Sequence, residues 1–127
     1  MAHRFKKHYT LAEARAMMPR VREWLDSMVQ LRHEYATISK RVDNMMSAQS
    51  DVGGDSVNQS IKLLSDIQSI LGEFKKHEIF IKDTERGLVD IPSRRGSREV
   101  FLCWETSEDD IAHWHELDTG YDHREPL

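Results

Sequence analysis

The first half of the chain carries apolar residues at a helical spacing. A capping box at Thr10 and Glu13 predicts a helix that begins at Leu11, because each side chain can bond the other residue's backbone amide. From Ala14 onward, two apolar positions repeat every seven residues, at a spacing of three and then four. This pattern is typical of a coiled coil, in which helices pack at a shallow angle. Pro19 predicts a kink or a fresh helix start within this segment.

A second helix is predicted after a short loop. The segment 47–55 contains adjacent glycines and is typical of a loop, and Ser56 with Gln59 indicates a second capping box. Helically spaced apolar residues then extend this helix to about His77; they are Val57, Ile61, Leu64, Ile67, Leu71 and Phe74. Because the connection is short, the two helices are predicted to run antiparallel as a hairpin.

After His77 the pattern changes from helical spacing to alternation, which predicts β-strands. We expect strands over 79–82 and 88–91, the second stopped by Pro92. A polar loop over 93–97 is then the centre of a predicted hairpin.

The clearest strand surrounds Leu102, where Val100, Leu102 and Trp104 alternate with other residues and are expected to face the helices. A last strand is expected over 111–115, followed by an irregular tail. The predicted fold class is α+β in a single domain over 1–127. It consists of a long antiparallel two-helix hairpin (about 10–77) followed by a small, mostly antiparallel β-sheet (about 79–127).

The length of the first helix bears on assembly. A helix from Pro19 to Ser47 would be about 43 Å long, whereas a compact chain of 127 residues has a diameter of roughly 36 Å. The hairpin is therefore expected to project beyond the sheet, where it cannot bury a wide apolar stripe alone. This predicts a homo-oligomer through the helical hairpin, most simply two copies in a four-helix bundle.

Charge and composition limit the classes of binding partner that the sequence predicts. The net charge is −4, and residues 83–127 hold 5 basic and 12 acidic side chains, a net of −7. This acidic third disfavours nucleic acid as a partner and suits a cation. No apolar run approaches the ~20 residues that cross a bilayer, so no membrane association is expected. The single cysteine, Cys103, cannot form an internal disulfide, which predicts a cytoplasmic location.

The histidine pair His113 and His115 is the main candidate for chemistry. On a strand, residues two apart share a face at about 7 Å between Cα atoms, and two imidazoles at that spacing can bind one metal ion. Mixed histidine and carboxylate ligands suit zinc, iron, nickel or manganese. The alternative is a solvent-facing pair without a ligand. The acidic side chains that could supply a third ligand are Asp90, Glu105, Glu108 and Asp118.

Other polar residues allow more than one interpretation. Arg94, Arg95 and Arg98 could hold a phosphate or carboxylate, or could simply form a solvated loop that balances nearby acids. Asp90 could be a ligand, a general base or a turn-former. A nucleophilic Cys103 would need a lowered pKa, which acidic surroundings oppose, so we expect a buried, inert thiol.

Short motifs spread along the chain point to a family. They are YTLAEA at 9–14, MPRV at 18–21, GLVDIP at 87–92, VFLCW at 100–104 and WH at 114–115. Together they resemble the family catalogued as domain of unknown function 2203, which has no established activity. The resemblance implies a site of His115, Glu108 and Asp90, with His113 as an additional ligand in this chain.

Two functions are therefore predicted. The first is a small cytosolic protein whose His/carboxylate site binds a divalent transition metal, such as zinc, or a small ligand. The alternative is a protein–protein interaction or structural module that acts through the projecting hairpin and has no catalytic activity. The sequence leaves open whether the protein is an enzyme.

Overall fold

The computed structural model describes residues 3–48 and 54–127. Helix α1 is Leu11–Ser47 and helix α2 is Gly54–Lys76. The strands that follow are β1 (Phe80–Asp83), β2 (Leu88–Arg95), β3 (Arg98–Trp104), β4 (His113–Glu116) and β5 (Glu125–Pro126), with a 3-10 helix at Tyr121–His123. Across the described residues the fold is α+β, with two helices and then a five-stranded antiparallel sheet, as predicted.

Helix α1 begins where the capping box predicts. The Thr10 hydroxyl accepts a hydrogen bond from the Glu13 amide at 3.1 Å, and the Glu13 carboxylate accepts one from the Thr10 amide at 2.9 Å. The helix then continues through Pro19 without starting afresh. Pro19 is exposed, and the single backbone bond that a proline removes is a small part of a 37-residue helix.

Helix α2 begins earlier than predicted. It already includes Gly54, so Ser56 lies inside the helix and the predicted second capping box is wrong. The Ser56 carbonyl instead accepts a hydrogen bond from the Ser60 hydroxyl, one turn later, at 3.1 Å. Residues 49–53 of the predicted loop lie outside the described residues.

Helix α2 ends in a turn that redirects the chain into the sheet. Glu78 has a positive φ of 54°, and the Ile79 amide donates to the Phe74 carbonyl at 3.0 Å. This bonding pattern satisfies a carbonyl at the helix end and reverses the chain. Tyr9 fastens the same end, because its hydroxyl donates to the His77 carbonyl at 2.7 Å.

Strand β2 does not stop at Pro92, so that prediction is wrong. Pro92 lies opposite Phe101 within the β2–β3 pair, and β2 continues to Arg95. The Pro92 carbonyl accepts a bond from the Tyr9 amide at 2.8 Å. Since the amide and carbonyl of one strand residue point to the same side, the missing N–H of proline faces away from β3 and costs no bond between the strands.

The β2–β3 turn is shorter than the predicted loop over 93–97. It consists of Gly96 and Ser97 alone, with Arg95 opposite Arg98 in the strands. Gly96 has a φ of 66°, which glycine adopts readily at the first position of a two-residue turn. Arg94, Arg95 and Arg98 therefore lie on strands rather than in a loop.

The last strands also differ from prediction. Strand β4 begins at His113 rather than at Ile111, and the tail is not wholly irregular. In the tail, β5 pairs with β4, with Pro126 opposite His113, and the Leu127 amide donates to the Ala112 carbonyl at 3.0 Å. The tail pairs here because the outer edge of β4 offers unpaired backbone groups.

The main core lies between the sheet and the helices. Val100, Leu102 and Trp104 pack there, as predicted, on the sheet surface that we call the helix face. They contact helical residues that are almost fully buried: Ala14, Met18, Val21, Leu25 and Phe74. Side chains at alternate strand positions point to the opposite surface, which we call the outer face.

Among the hairpin residues that the structure describes, 11–48 and 54–76, the far half has no comparable core. There the buried residues of α1 end at Met28, and α2 has one buried residue, Phe74, near its end. Leu31 is half-buried. Within the described residues, neither helix combines the length and the apolar character needed to cross a membrane.

The turn before β2 gives a test of the fold. Gly87 has a φ of 65°, and a Cβ added there would overlap the Thr106 hydroxyl. Gly96 has a similar φ of 66° but open space around it. Gly96→Ala should lose about 1–2 kcal/mol of unfolding free energy from the backbone alone. Gly87→Ala should lose clearly more in urea denaturation; equal losses would contradict this packing against Thr106.

Candidate metal centre on the outer face of the sheet

The outer face brings together polar residues from three neighbouring strands. Asp90 of β2 lies opposite Cys103 of β3, and Cys103 lies opposite His113 of β4. His115 lies two residues further along β4, opposite Phe101. His113 and His115 therefore share one face, as their spacing predicts. Asp90, Cys103 and His115 are buried although they lie on the side away from the helices.

The N-terminal segment covers part of this face. The Phe5 ring packs against the rings of Phe80 and Phe101, with centroids 5.4 and 5.3 Å apart. The Phe101 ring in turn lies 5.5 Å from the imidazole of His115. This aromatic cover helps to explain why His115 is buried on a surface without a helix.

Asp90, Cys103 and His115 form a compact cluster. The His115 Nε2 atom lies 3.0 Å from Asp90 Oδ1, and one ligand atom from each of the three residues lies within 4.8 Å of the others. On its other side, His115 Nδ1 lies 2.7 Å from the Glu116 carbonyl oxygen. A carbonyl can only accept, so Nδ1 carries a hydrogen and donates it.

The fixed tautomer constrains what lies between His115 and Asp90. With the Nδ1 hydrogen directed at the Glu116 carbonyl, a neutral imidazole presents the Nε2 lone pair to the carboxylate. Two lone pairs 3.0 Å apart repel each other. Either a proton or a cation must therefore lie between these two atoms.

The Cys103 thiol keeps its proton in these surroundings because its pKa is raised. Burial is the largest cause and the nearby Asp90 carboxylate the next, and together they raise the pKa of Cys103 to about 12 against a weaker opposing effect of Arg124. The prediction of a buried thiol is thus confirmed. Such a thiol is a poor nucleophile unless a metal ion replaces its proton.

A second polar group surrounds Glu108. Its carboxylate accepts bonds from Arg124 Nη1 at 2.8 Å and from the Glu105 amide at 3.0 Å. Its other oxygen lies 3.2 Å from His113 Nδ1, but without hydrogen-bond geometry, and this buried nitrogen has no hydrogen-bond partner among the described residues. Burial alone would lower the pKa of Arg124, but the Glu108 carboxylate outweighs it and raises the pKa.

Helix α1 contacts the connection between β3 and β4, residues 105–112, which contains Glu108. The Glu108 carbonyl accepts bonds from Arg22 Nη2 at 2.9 Å and from the Trp104 indole at 3.0 Å. The Arg22 guanidinium lies over the Trp104 ring at 4.6 Å. A residue of the helical hairpin thereby positions a carboxylate of the outer face.

The four predicted metal ligands thus form two pairs. Asp90 pairs with His115, and Glu108 pairs with His113 and Arg124. Of the other carboxylates considered as third ligands, Glu105 adjoins Glu108 through its amide, but its side chain binds Arg86 at 2.6 Å, and Asp118 is exposed.

Sequence reasoning missed Cys103 and Arg124 as members of this region. A signal for Cys103 was present. A two-residue turn at Gly96 and Ser97 sets Arg95 opposite Arg98. Counting five residues back along β2 and five forward along β3 then places Cys103 opposite Asp90. Nothing local in the sequence indicates that Arg124 returns to Glu108.

The three arginines of the predicted anion site have different surroundings. The guanidinium groups of Arg95 and Arg98 lie over the Trp114 ring at 4.5 and 5.8 Å. Arg98 also pairs with Glu116 at 3.0 Å, and Arg94 is exposed. Their anion-binding role stays a prediction.

The N-terminal segment is fastened to the outer face through Glu99. Its carboxylate accepts bonds from the Arg4 amide at 2.7 Å and the Phe5 amide at 3.0 Å, and lies 2.7 Å from His8 Nε2. Burial alone would raise the pKa of Glu99, but these bonds and nearby His3 lower it to about 2.

The fold and the cluster define a small α+β protein with a helical hairpin and a buried Asp/Cys/His group. Residues 7–127, nearly the whole chain, match the model of the family described as "Uncharacterized conserved protein (DUF2203)", and the chain belongs to that family. No curated protein and no solved structure matches the chain.

The Glu99 contacts predict a pH dependence. Since the pKa of Glu99 falls from 4.5 to about 2 on folding, the ionised carboxylate stabilises the folded state above pH 4.5, and this contribution is lost as the pH falls towards 2. In urea denaturation, Glu99→Gln should be less stable than the native chain above pH 4.5, and the difference should shrink near pH 2. Glu85→Gln, which alters an exposed pair with His33, is the control and should change little. A Glu99 carboxyl that titrates near 4.5 by NMR would contradict the prediction.

Proposed function

We propose that this protein binds a divalent transition-metal ion, most simply zinc, through Asp90, Cys103 and His115. The observation that carries the proposal is the convergence of one oxygen, one sulfur and one nitrogen ligand atom within 4.8 Å on three adjacent strands. These are the ligand types that zinc takes in proteins. His115 and Asp90 were expected ligands, and Cys103 is added by the geometry.

The orientation of His115 supports this proposal. A histidine that binds a metal usually donates its other ring N–H to a carboxylate or backbone carbonyl, which fixes the tautomer and directs the ligand nitrogen. His115 makes this bond to the Glu116 carbonyl and directs Nε2 at Asp90. A cation between the two residues would also remove the repulsion between their lone pairs.

The distances require only a small adjustment. Tetrahedral zinc, at about 2.0–2.1 Å from nitrogen and oxygen, separates two such ligand atoms by about 3.3 Å. The His115 and Asp90 atoms are 3.0 Å apart. A sulfur ligand at about 2.3 Å would lie roughly 3.6 Å from each of them, and the Cys103 sulfur already lies within 4.8 Å.

The charges of the region also fit a divalent cation. Zinc would displace the Cys103 proton, and the charge of the ion would then balance one thiolate and one carboxylate. Arg124 is the nearby positive charge that could oppose binding, but it pairs with Glu108 at 2.8 Å. The Glu108 carboxylate therefore offsets the charge of Arg124 beside the site.

Burial favours a structural role for the ion. The side chains of His115 and Asp90 are 1% and 4% exposed, so a substrate has no access to the proposed ligands. An ion at this position would join β2, β3 and β4, whose residues supply the ligands. Binding to the folded state alone then stabilises the protein.

Thermal melting with and without zinc tests this function. At a free zinc concentration of 100 times Kd, the native chain should gain about 2.7 kcal/mol, or a rise in Tm of roughly 10 °C. Cys103→Ala and Asp90→Asn should each lose most of this rise, because each removes one ligand.

The matched control is His113→Ala, which removes an outer-face histidine outside the proposed cluster and should keep the rise. Stoichiometry is measured on protein purified without a histidine tag, by elemental analysis. Absence of bound metal together with equal melting temperatures would refute metal binding. A zinc effect lost in His113→Ala but kept in Cys103→Ala would instead assign the ion to the Glu108–His113 pair.

A second candidate function, interaction through the helical hairpin, is favoured by the apolar residues that stay exposed on both helices. Met46 of α1 is 62% exposed and Ile61 of α2 is 60% exposed. Exposed apolar groups of this kind mark interaction surfaces when they are contiguous. The proposed assembly is a homo-oligomer formed through the hairpin.

Sedimentation at micromolar concentration tests this assembly. The measured mass should be at least twice the 14.9 kDa of one chain, because pairing would cover the exposed apolar residues. A single species of 14.9 kDa across the concentration range would contradict the homo-oligomer. The result is independent of zinc binding.

A further inference from the structure

The exposed apolar residues of α2 form one stripe. Their exposed fractions are 38% for Val57, 60% for Ile61, 41% for Leu64 and 44% for Leu71. The spacing of four, three and seven keeps all of them on one side of a helix, with Gln68 at the missing position. We call these four residues the α2 stripe. It extends over about 21 Å at 1.5 Å per residue.

The charged side chains of α2 before Lys75 avoid this stripe. At 100° per residue, the four charged residues from the helix start to Glu73 lie about 140–180° around the helix from Val57; they are Asp55, Lys62, Asp66 and Glu73. One flank of the stripe carries Ser65, Ser69 and Gly72 along its middle, between Asn58 near one end and Lys76 at the other. The three small residues let another helix approach this middle part closely.

The opposite side of the hairpin is a groove of about 540 Å³ whose lining includes Thr37 of α1 and Lys62 and Asp66 of α2. Since Lys62 and Asp66 lie about 140–180° around α2 from Val57, the α2 stripe faces away from this groove.

We propose that the α2 stripe docks against the same stripe of a second copy, with the two α2 helices antiparallel about a two-fold axis near Leu64. The two hairpins then form a four-helix bundle with the sheets at opposite ends. This pairing rests on the homo-oligomer described above and specifies its face and direction. It is independent of the metal site.

Charge favours the antiparallel direction. Lys75 lies on the line of the stripe, four residues after Leu71, so a parallel pair would bring Lys75 against its own copy. In an antiparallel pair, the two copies of Lys75 instead lie at opposite ends of the contact, so this repulsion is removed. The helix dipoles also oppose each other in this arrangement.

The available area suits a dimer. A helix of 23 residues, the length of α2, rises about 34 Å, and a layer of two helices is about 20 Å wide. The face is therefore about 700 Å² per copy, close to the ~800 Å² per partner of a standard protein–protein interface. A dimer through one face of the hairpin is thus large enough to be stable.

The test compares two single substitutions that each add one negative charge to α2. Leu64→Glu places a carboxylate at the centre of the stripe, and sedimentation should give a single chain of 14.9 kDa. Gln59→Glu, on the groove side, is the matched control and should leave the mass at twice that value. Circular dichroism should show both variants folded, because Leu64 and Gln59 are both exposed.

Disulfide trapping tests the direction. Val57→Cys alone should give no cross-linked dimer on oxidation, because the axis near Leu64 places Val57 opposite Leu71 of the other copy. The double variant with Val57→Cys and Leu71→Cys should give a covalent dimer in high yield. The native chain, with its buried Cys103, is the blank.

The possible outcomes distinguish the α2 stripe as the contact surface from the homo-oligomer itself. A dimer that survives Leu64→Glu would refute the α2 stripe as the contact but keep the homo-oligomer. Cross-linking of Val57→Cys alone would refute the antiparallel direction. A native chain of 14.9 kDa at all concentrations would refute both the pairing and the homo-oligomer.

Discussion

The structure depends on how polar side chains are satisfied on a sheet that has helices on one face and a partial cover by the N-terminal segment on the other. The helix face is apolar and needs only packing, but the outer face buries Asp90 and His115. A buried charge is costly unless it is paired. The Nδ1 hydrogen of His115 is satisfied by the Glu116 carbonyl, but the 3.0 Å contact between Nε2 and Asp90 meets that requirement only with a proton or a cation between the two atoms. The N-terminal segment can then close over the face, with Phe5 packed on Phe101.

The same requirement links the ends of the chain to the sheet. Glu99 holds the amides of Arg4 and Phe5, and Glu108 holds Arg124. The outer face is therefore assembled from segments that are far apart in sequence and that are joined by hydrogen bonds between their polar groups. The hairpin differs, because the apolar residues described between Met28 of α1 and Phe74 of α2 are at most half-buried within one chain. The two halves motivate the two proposals: a metal ion between Asp90 and His115, and a second copy of the chain against α2.

Sequence reasoning succeeded where structure is local. The capping box at Thr10 and the alternation around Leu102 depend on neighbours a few residues away, and both predictions are confirmed. It failed at Pro92, which continues its strand because the distant Tyr9 bonds its carbonyl. For the site, the spacing correctly placed His113 and His115 on one face. The pairing of His115 with Asp90 depends on the strand register, and the position of Glu108 beside His113 depends on Arg124, which is 16 residues away. Reading the turn as Gly96 and Ser97 alone would have placed Cys103 opposite Asp90.

The central claim is that a transition metal binds between β2, β3 and β4 with the sulfur of Cys103 among its ligands. X-ray absorption of the zinc-loaded protein measures this directly, because sulfur and nitrogen or oxygen ligands differ in distance. The account predicts one sulfur at about 2.3 Å and nitrogen or oxygen ligands at about 2.0–2.1 Å, with the sulfur lost in Cys103→Ala. A zinc spectrum with nitrogen and oxygen ligands alone in the native chain would contradict it.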